Sequence, residues 1–122
     1  MIILITEDDS ISQAILKKLL NSQKYDFEVA NNGEEAVEIS KNKKFDIILM
    51  DILMPKKDGF TASSEIRFGE QNLNQNTPII AVTSESFKEN QEKFKDSGIN
   101  DFVPKPVRKD ALLKKIKHWS AI

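Results

Sequence analysis

Four short apolar runs in this chain each stop on a polar group. Ile2-Ile3-Leu4-Ile5 runs into Thr6 and then Glu7-Asp8-Asp9. Phe45-Asp46-Ile47-Ile48-Leu49-Met50 ends at Asp51. Ile79-Ile80-Ala81-Val82 ends at Thr83-Ser84, and Phe102-Val103-Pro104 ends at Lys105-Pro106. Runs this short, separated by helical patterns, read as strands buried on both faces. If they are parallel strands of one sheet, their carboxyl ends share one edge. That edge then holds several carboxylates, a hydroxyl and an ammonium. Ligand sites of open α/β sheets lie in the crevice at that edge.

The intervening segments support this reading. Residues 10–22 read as a helix capped by Asp9 or Ser10, with Ile15, Leu16, Leu19 and Leu20 as its buried stripe. Phe27-Glu28-Val29-Ala30 is a weaker second strand, and Asn32-Gly33 marks a turn. A helix is expected from Glu34 to Lys41, with acids in its first turn. Residues 45–50 form the third strand. Met54 to Gly59 is a loop, and Phe60 to about Phe68 a helix with Ile66 inward. Residues 69–77 are polar and loop-like. Thr77-Pro78 opens the fourth strand, where a proline is tolerated at the first position. Residues 86–97 read as a polar helix stopped by Gly98. Residues 101–104 form the fifth strand. The last helix spans 108–120, with Leu112, Leu113 and Ile116 inward. Five strands alternating with five helices imply right-handed crossovers and a parallel sheet covered on both faces. No linker interrupts the pattern, so residues 1–122 read as a single domain.

Bulk composition narrows the function classes. The chain has 122 residues, one core's worth, and a net charge of −1 from 18 basic and 19 acidic residues. That balance gives no case for direct nucleic-acid binding or an anionic membrane. No apolar run is long enough to cross a bilayer. Cysteine is absent, so there is no disulfide framework and no thiol chemistry. His118 is the one histidine, so no zinc cluster is expected.

The acidic loop and Asp51 are the candidate chemistry. Carboxylates about 4 Å apart repel by about 4 kcal/mol per charged pair at an effective dielectric near 20. A raised pKa or a bound divalent cation relieves that cost. Carboxylate oxygens suit hard cations, and few protein ligands with retained waters suit Mg²⁺. A carboxylate so placed is also a nucleophile able to form an acyl phosphate. Lys105 and Thr83 supply neutralising groups for a phosphoryl, and the small Ser84 leaves room for it.

With these residues in view, the chain resembles the receiver domain of two-component response regulators. The resemblance is carried by Leu4-Ile5-Thr6-Glu7-Asp8-Asp9, by Ile47-Ile48-Leu49-Met50-Asp51-Ile52-Leu53-Met54-Pro55-Lys56-Lys57-Asp58-Gly59, by Pro78-Ile79-Ile80-Ala81-Val82-Thr83-Ser84 and by Asp101-Phe102-Val103-Pro104-Lys105-Pro106. It covers essentially the whole chain. It implies a flavodoxin-like sheet of order 2-1-3-4-5, an order for which a chemotaxis member of the family is a known example. It implies that Asp51 accepts a phosphoryl group with Mg²⁺. Asp8, Asp51 and the Leu53 carbonyl are then metal ligands, with Glu7 acting mostly through water. Thr83 is the implied switch hydroxyl, Lys105 the lysine that pairs with the phosphoryl group, and Phe102 the aromatic switch residue. Lys105-Pro106 is implied to be cis. Lys57 stands where the family often has an apolar residue. Leu53 and Glu85 fall at positions that tune dephosphorylation. The implied donors are a histidine kinase or a histidine phosphotransfer protein, the implied location is cytoplasmic, and the downstream partner is unspecified. With no DNA-binding helix-turn-helix after the last helix, the expectation is a stand-alone regulator or a receiver from a hybrid sensor kinase. Such a chain is a phospho-acceptor rather than a turnover enzyme.

Two rivals share the architecture. A flavodoxin-like cofactor binder needs a hydroxyl- and glycine-rich phosphate loop after the first strand, where Glu7-Asp8-Asp9 would repel phosphate. A Mg²⁺-dependent phosphatase with an aspartyl-phosphate intermediate usually takes its nucleophile from an Asp-x-Asp loop there, which leaves Asp51 unexplained. On the first helix, Ile11 and Ala14 fall off the buried stripe toward Asp51. Ile11, ringed by Ser12 and Gln13, is a candidate docking anchor for a phosphodonor.

Overall fold

The apolar runs fold as five strands, β1 (Ile2–Thr6), β2 (Asp26–Ala30), β3 (Ile47–Met50), β4 (Ile79–Thr83) and β5 (Asp101–Pro104). Five helices alternate with them: α1 (Ser10–Ser22), α2 (Gly33–Asn42), α3 (Gly59–Phe68), α4 (Gln91–Asp96) and α5 (Lys109–Ser120). The computed structural model describes residues 1–54, 56–84 and 89–120. All neighbouring strands pair in parallel, in the order β2-β1-β3-β4-β5. The doubly wound sheet expected from the alternation is therefore present, with the two edge positions taken by β2 and β5.

Alternation along each strand sends neighbouring side chains to opposite faces. Ile3, Ile5, Ile47, Leu49, Ile80, Val82 and Val103 pack with Leu16 and Leu20 of α1 and Leu112, Leu113 and Ile116 of α5. Leu4, Ile48, Met50 and Ile79 pack with Ala36 and Val37 of α2 and Ala62 and Ile66 of α3. Neither face is left for water, which is why β1, β3 and β4 read as continuous apolar runs. Each such side chain removed from water contributes about 1.5–3 kcal/mol.

Helix starts follow their caps. Asp9 Oδ2 accepts from the Ser12 backbone N–H at 2.8 Å, Asn32 Oδ1 from Glu35 at 2.9 Å and Asp58 Oδ1 from Thr61 at 2.8 Å. The helix expected over 86–97 runs from Gln91 to Asp96, and residues 85–88, with the Glu85 position, lie outside the described residues, as does Pro55. It ends before Gly98, whose φ of 77° needs a glycine. Phe45 and Asp46 precede β3 rather than belong to it. Phe45 is buried there, its N–H held by Asn74 Oδ1 at 2.8 Å.

One expectation fails on packing. Ile15 is not part of the buried stripe: it is 47% exposed, because α1 meets the sheet through Leu16 and Leu20. The segment 69–77 is a polar loop, as expected, and part of it is buried. Asn72, Asn74 and Thr77 are buried in it. Asn74 Nδ2 donates to the carbonyls of Ser40 and Lys43, and Asn72 Nδ2 donates to Ser40 Oγ at 2.8 Å. The two Asn74 bonds satisfy backbone carbonyls of the α2–β3 turn.

Candidate functional site

Parallel pairing brings the ends of β1, β3, β4 and β5 to one edge. Backbone bonds continue one residue past the strands and fix the first position of each loop. The Glu7 N–H donates to the Ala30 carbonyl at 3.1 Å, the Asp51 N–H to Thr6 at 2.9 Å and the Lys105 N–H to Thr83 at 3.0 Å. Three functional side chains thus leave a rigid frame at adjacent points. The Lys105-Pro106 bond is cis, as the resemblance implied.

The frame places Glu7, Asp8 and Asp51 so that one carboxylate oxygen from each lies within 4.8 Å of the others. Glu7 is fully buried and Asp51 almost so, whereas Asp8 is exposed. Lys105 Nζ lies 2.7 Å from Glu7 Oε1 and 3.5 Å from Asp51 Oδ1. Glu7 Oε2 also accepts from the Asp9 N–H at 3.2 Å. Burial, a hydrogen bond with Glu7 and the Glu7 charge push Asp51 up to about 7, against the opposing pull of Lys105 and the Leu53 N–H. Burial disfavours the Lys105 ammonium, but its bond to Glu7 and the charges of Asp51 and Glu7 outweigh this and hold its pKa above the ordinary lysine value. A metal-free cluster of this kind relieves its repulsion through a retained proton and a shared ammonium.

Tight backbone contacts hold the loop after β3. A Cβ on Gly59 would collide with the Asp51 carbonyl, and one on Gly33 with the Lys57 carbonyl. The Lys57 ammonium pairs with Glu65 on α3, so the unexpected lysine staples this loop to the next helix. Leu53 is 57% exposed beside the cluster.

Thr83 is buried at the end of β4 and Ser84 beside it is exposed. Phe102 is half-buried and tilts against Phe94, ring centroids 6.2 Å apart. Phe94 in turn meets Phe60 edge-on at 5.0 Å. Glu7, Asp8, Asp51, Leu53, Thr83, Phe102 and Lys105 therefore share this edge or the strand beneath it. His118 is exposed at the far end of α5.

Three features escaped the sequence. The ammonium of Lys105 sits closer to Glu7 than to Asp51. A cavity of about 390 Å³ beside the cluster is lined by Ser12, Ile15, Leu16, Val82, Pro106 and Val107, with Glu7 and Lys105 at one end. Ile15, one of its lining residues, is exposed on α1. Finally, Gln13 bonds to the Glu7 carbonyl, and nothing in its sequence context signals that contact.

The phosphatase reading loses support from the same geometry. Asp9, the second acid of an Asp-x-Asp arrangement, is the cap of α1 and exposed, and the perturbed, buried acid is Asp51.

Comparison with known proteins agrees. The family described as response regulator receiver domain matches residues 3–117. Hybrid signal transduction histidine kinase I of Dictyostelium discoideum is 40% identical over 119 residues, which cover 93% of this chain and 7% of that protein. Hybrid signal transduction histidine kinase B of the same organism is 41% identical, covering 94% and 6%. The chain thus spans less than a tenth of the length of these relatives. Among solved structures, the receiver domain of a sensor histidine kinase from Pseudomonas aeruginosa, with magnesium coordinated in its active-site cleft, superposes with a TM-score of 0.90 at 30% identity, covering 99% of this chain and 98% of that one. The receiver of a Saccharomyces cerevisiae response regulator, co-crystallised with its histidine phosphotransfer protein, gives 0.88 at 36% identity, covering 99% and 89%.

Proposed function

The chain belongs to the response regulator receiver family, and from that premise we propose that Asp51 accepts a phosphoryl group from the phosphohistidine of a histidine kinase or histidine phosphotransfer protein. The carrying observation is the placement of Asp51, buried at the end of the central strand with Glu7, Asp8 and Lys105 converging on it. Residues 1–122 act as one receiver domain. They serve as a phospho-acceptor, in the cytoplasm, rather than as an enzyme with steady turnover.

The donor set fits a hard divalent cation, because its three side chains all offer carboxylate oxygens. Asp8, Asp51 and the Leu53 carbonyl would hold Mg²⁺, with Glu7 acting through water. When bound, the ion neutralises charge on the transferring phosphoryl oxygens. The protein's own part is nucleophile and electrostatics. An Asp51 carboxylate oxygen bonds to phosphorus as the phosphorus–nitrogen bond breaks, and the electron pair returns to the donor imidazole. Lys105 then meets the new negative charge with its ammonium, and Thr83 offers a hydroxyl. Phosphorylation adds about −1.5 to −2 charge at this spot. We infer that Thr83 moves toward it and Phe102 turns inward, changing the face formed by α4, β5 and α5 for an output partner.

The α1 side of the site supplies the donor contact. Ile11 is exposed on α1 next to Ser12, which lines the cavity by Lys105, and an apolar anchor there suits a transient helical partner.

The test is incubation with Mg²⁺ and acetyl phosphate, followed by intact mass and peptide mapping. One phosphoryl group on Asp51 is expected, and none on folded Asp51→Asn. Undiminished labelling of that variant overturns the assignment, and sustained hydrolysis of small phosphoesters restores the phosphatase.

A further inference from the structure

Gln13 lies in the first half of α1, away from the apolar stripe, and is half-buried. Its Nε2 carries two hydrogens, and both are used. One is donated to the Glu7 backbone carbonyl and the other to Asn31 Oδ1 at 2.8 Å. Asn31 is itself held, because its backbone N–H and its Nδ2 donate to Glu35 Oε1 at 3.1 and 3.3 Å. Glu35 is fixed in turn by Asn32, which caps α2 and donates to Glu35 Oε2 at 3.2 Å. A continuous polar chain therefore runs from the start of α2, through α1, to a single peptide group at the edge of the sheet.

That peptide joins Glu7 to Asp8. The two carboxylates beside it have different surroundings: Glu7 is buried against Lys105, and Asp8 is exposed. The plane of the peptide between them sets the direction in which the chain carries Asp8 relative to Glu7. The Glu7 N–H is already fixed by the Ala30 carbonyl. Gln13 fixes the other side of the residue. When that donor is removed, the Glu7–Asp8 peptide gains freedom to rotate.

We propose that Gln13 is a positioning residue that clamps the Glu7–Asp8 peptide and so sets the affinity of the carboxylate cluster for a divalent cation. This rests on the reading of the cluster as a Mg²⁺ site. Outer partners that orient metal ligands typically contribute 10- to 100-fold in affinity, and a clamp on backbone rather than on the ligand itself belongs at about 10-fold.

Two substitutions separate this role from simple charge effects. Gln13→Met keeps the length and removes both donors. Gln13→Glu also removes them but adds a negative charge near the cluster, which by attraction alone would tighten Mg²⁺ binding. Mg²⁺ affinity is measured by calorimetry, and the Glu7 carbonyl carbon resonance is followed by NMR in metal-free buffer. Both variants are expected to bind Mg²⁺ about 10-fold more weakly, and the Glu7 carbonyl resonance is expected to move in both before any metal is added. Asn31→Ala, at an exposed position, leaves the Gln13 donors in place but removes their anchor, together with the Asn31 Nδ2 bond to Glu35, and should shift both readouts the same way by less; it keeps the test valid if a Gln13 variant fails to fold. Wild-type affinity in Gln13→Met, or tighter binding in Gln13→Glu, overturns the proposal. If the wild-type protein itself binds no Mg²⁺, the metal reading of the site falls, and this proposal with it.

Discussion

Lys105 is ion-paired to Glu7, Nζ to Oε1 at 2.7 Å, across 98 residues of sequence. The partner it is closest to is thus not Asp51, the proposed acceptor, but the buried acid next to it. A buried carboxylate is costly unless paired and hydrogen-bonded, and Glu7 has both Lys105 and the Asp9 N–H. Lys105 is therefore held with its ammonium 3.5 Å from Asp51 Oδ1, where on the proposed reading it would meet an incoming phosphoryl group.

The raised pKa of Asp51 makes the metal-free protein sensitive to pH. Its carboxyl keeps a proton to about pH 7 in the folded chain, whereas an unfolded aspartate loses it near about pH 4. Between these values the native state binds the extra proton. Its stabilising contribution is fully present at the acid end of that window and is lost as pH rises through about 7. Urea midpoints in chelator should fall from about pH 5 to about pH 8, more steeply for wild type than for Asp51→Asn. Equal slopes would show that another group carries the proton.

Asp8 is the exposed member of the cluster. Asp8→Ala should weaken Mg²⁺ binding strongly and slow labelling by acetyl phosphate. It should also leave the metal-free fold slightly more stable, because one repelling charge is gone. Calorimetry and urea unfolding read the two effects separately. A clear loss of stability in metal-free buffer would contradict a crowded acidic edge.

Thr83→Ala tests the switch. Amide spectra taken with and without phosphorylation should show smaller shifts across α4, β5 and α5 than in wild type. Full-sized shifts in the variant would mean that the hydroxyl is not the coupler.

Ile11 is 70% exposed and makes no part of the core. Ile11→Ala should slow phosphotransfer from a protein donor while leaving the acetyl phosphate reaction unchanged. Rapid-quench kinetics with both donors distinguish docking from support of the acidic loop, since equal slowing of both reactions would indicate support.

Asn74 is fully buried and joins α2, Phe45 and Thr77 through its amide. Asn74→Ala strands several of these groups, so a loss of about 3 kcal/mol is expected in urea unfolding. A change under about 0.5 kcal/mol would mean that water replaces the amide.

Much of the protein is determined locally. Apolar runs of three to six residues ending on Thr6, Asp51, Thr83 and Lys105 define the strands and their shared edge, because a strand buried on both faces has little place for polar groups until it ends. Caps such as Asp9 and Asn32 are equally local, each bonding within its own first turn. Tertiary structure alone decided which charges pair and which are covered. Periodicity assigned Ile15 to the buried face, but α1 is buried through Leu16 and Leu20, and exposure depends on what packs against a face. The loop 69–77 reads only as polar, and its sequence does not show that Asn72, Asn74 and Thr77 are buried against the α2–β3 turn. Glu7 and Asp8 are adjacent acids in sequence. Only the return of Lys105 to the same edge makes one a buried ion-pair partner, while the other stays exposed. Such differences arise from contacts between residues far apart in the chain, and no local pattern encodes them.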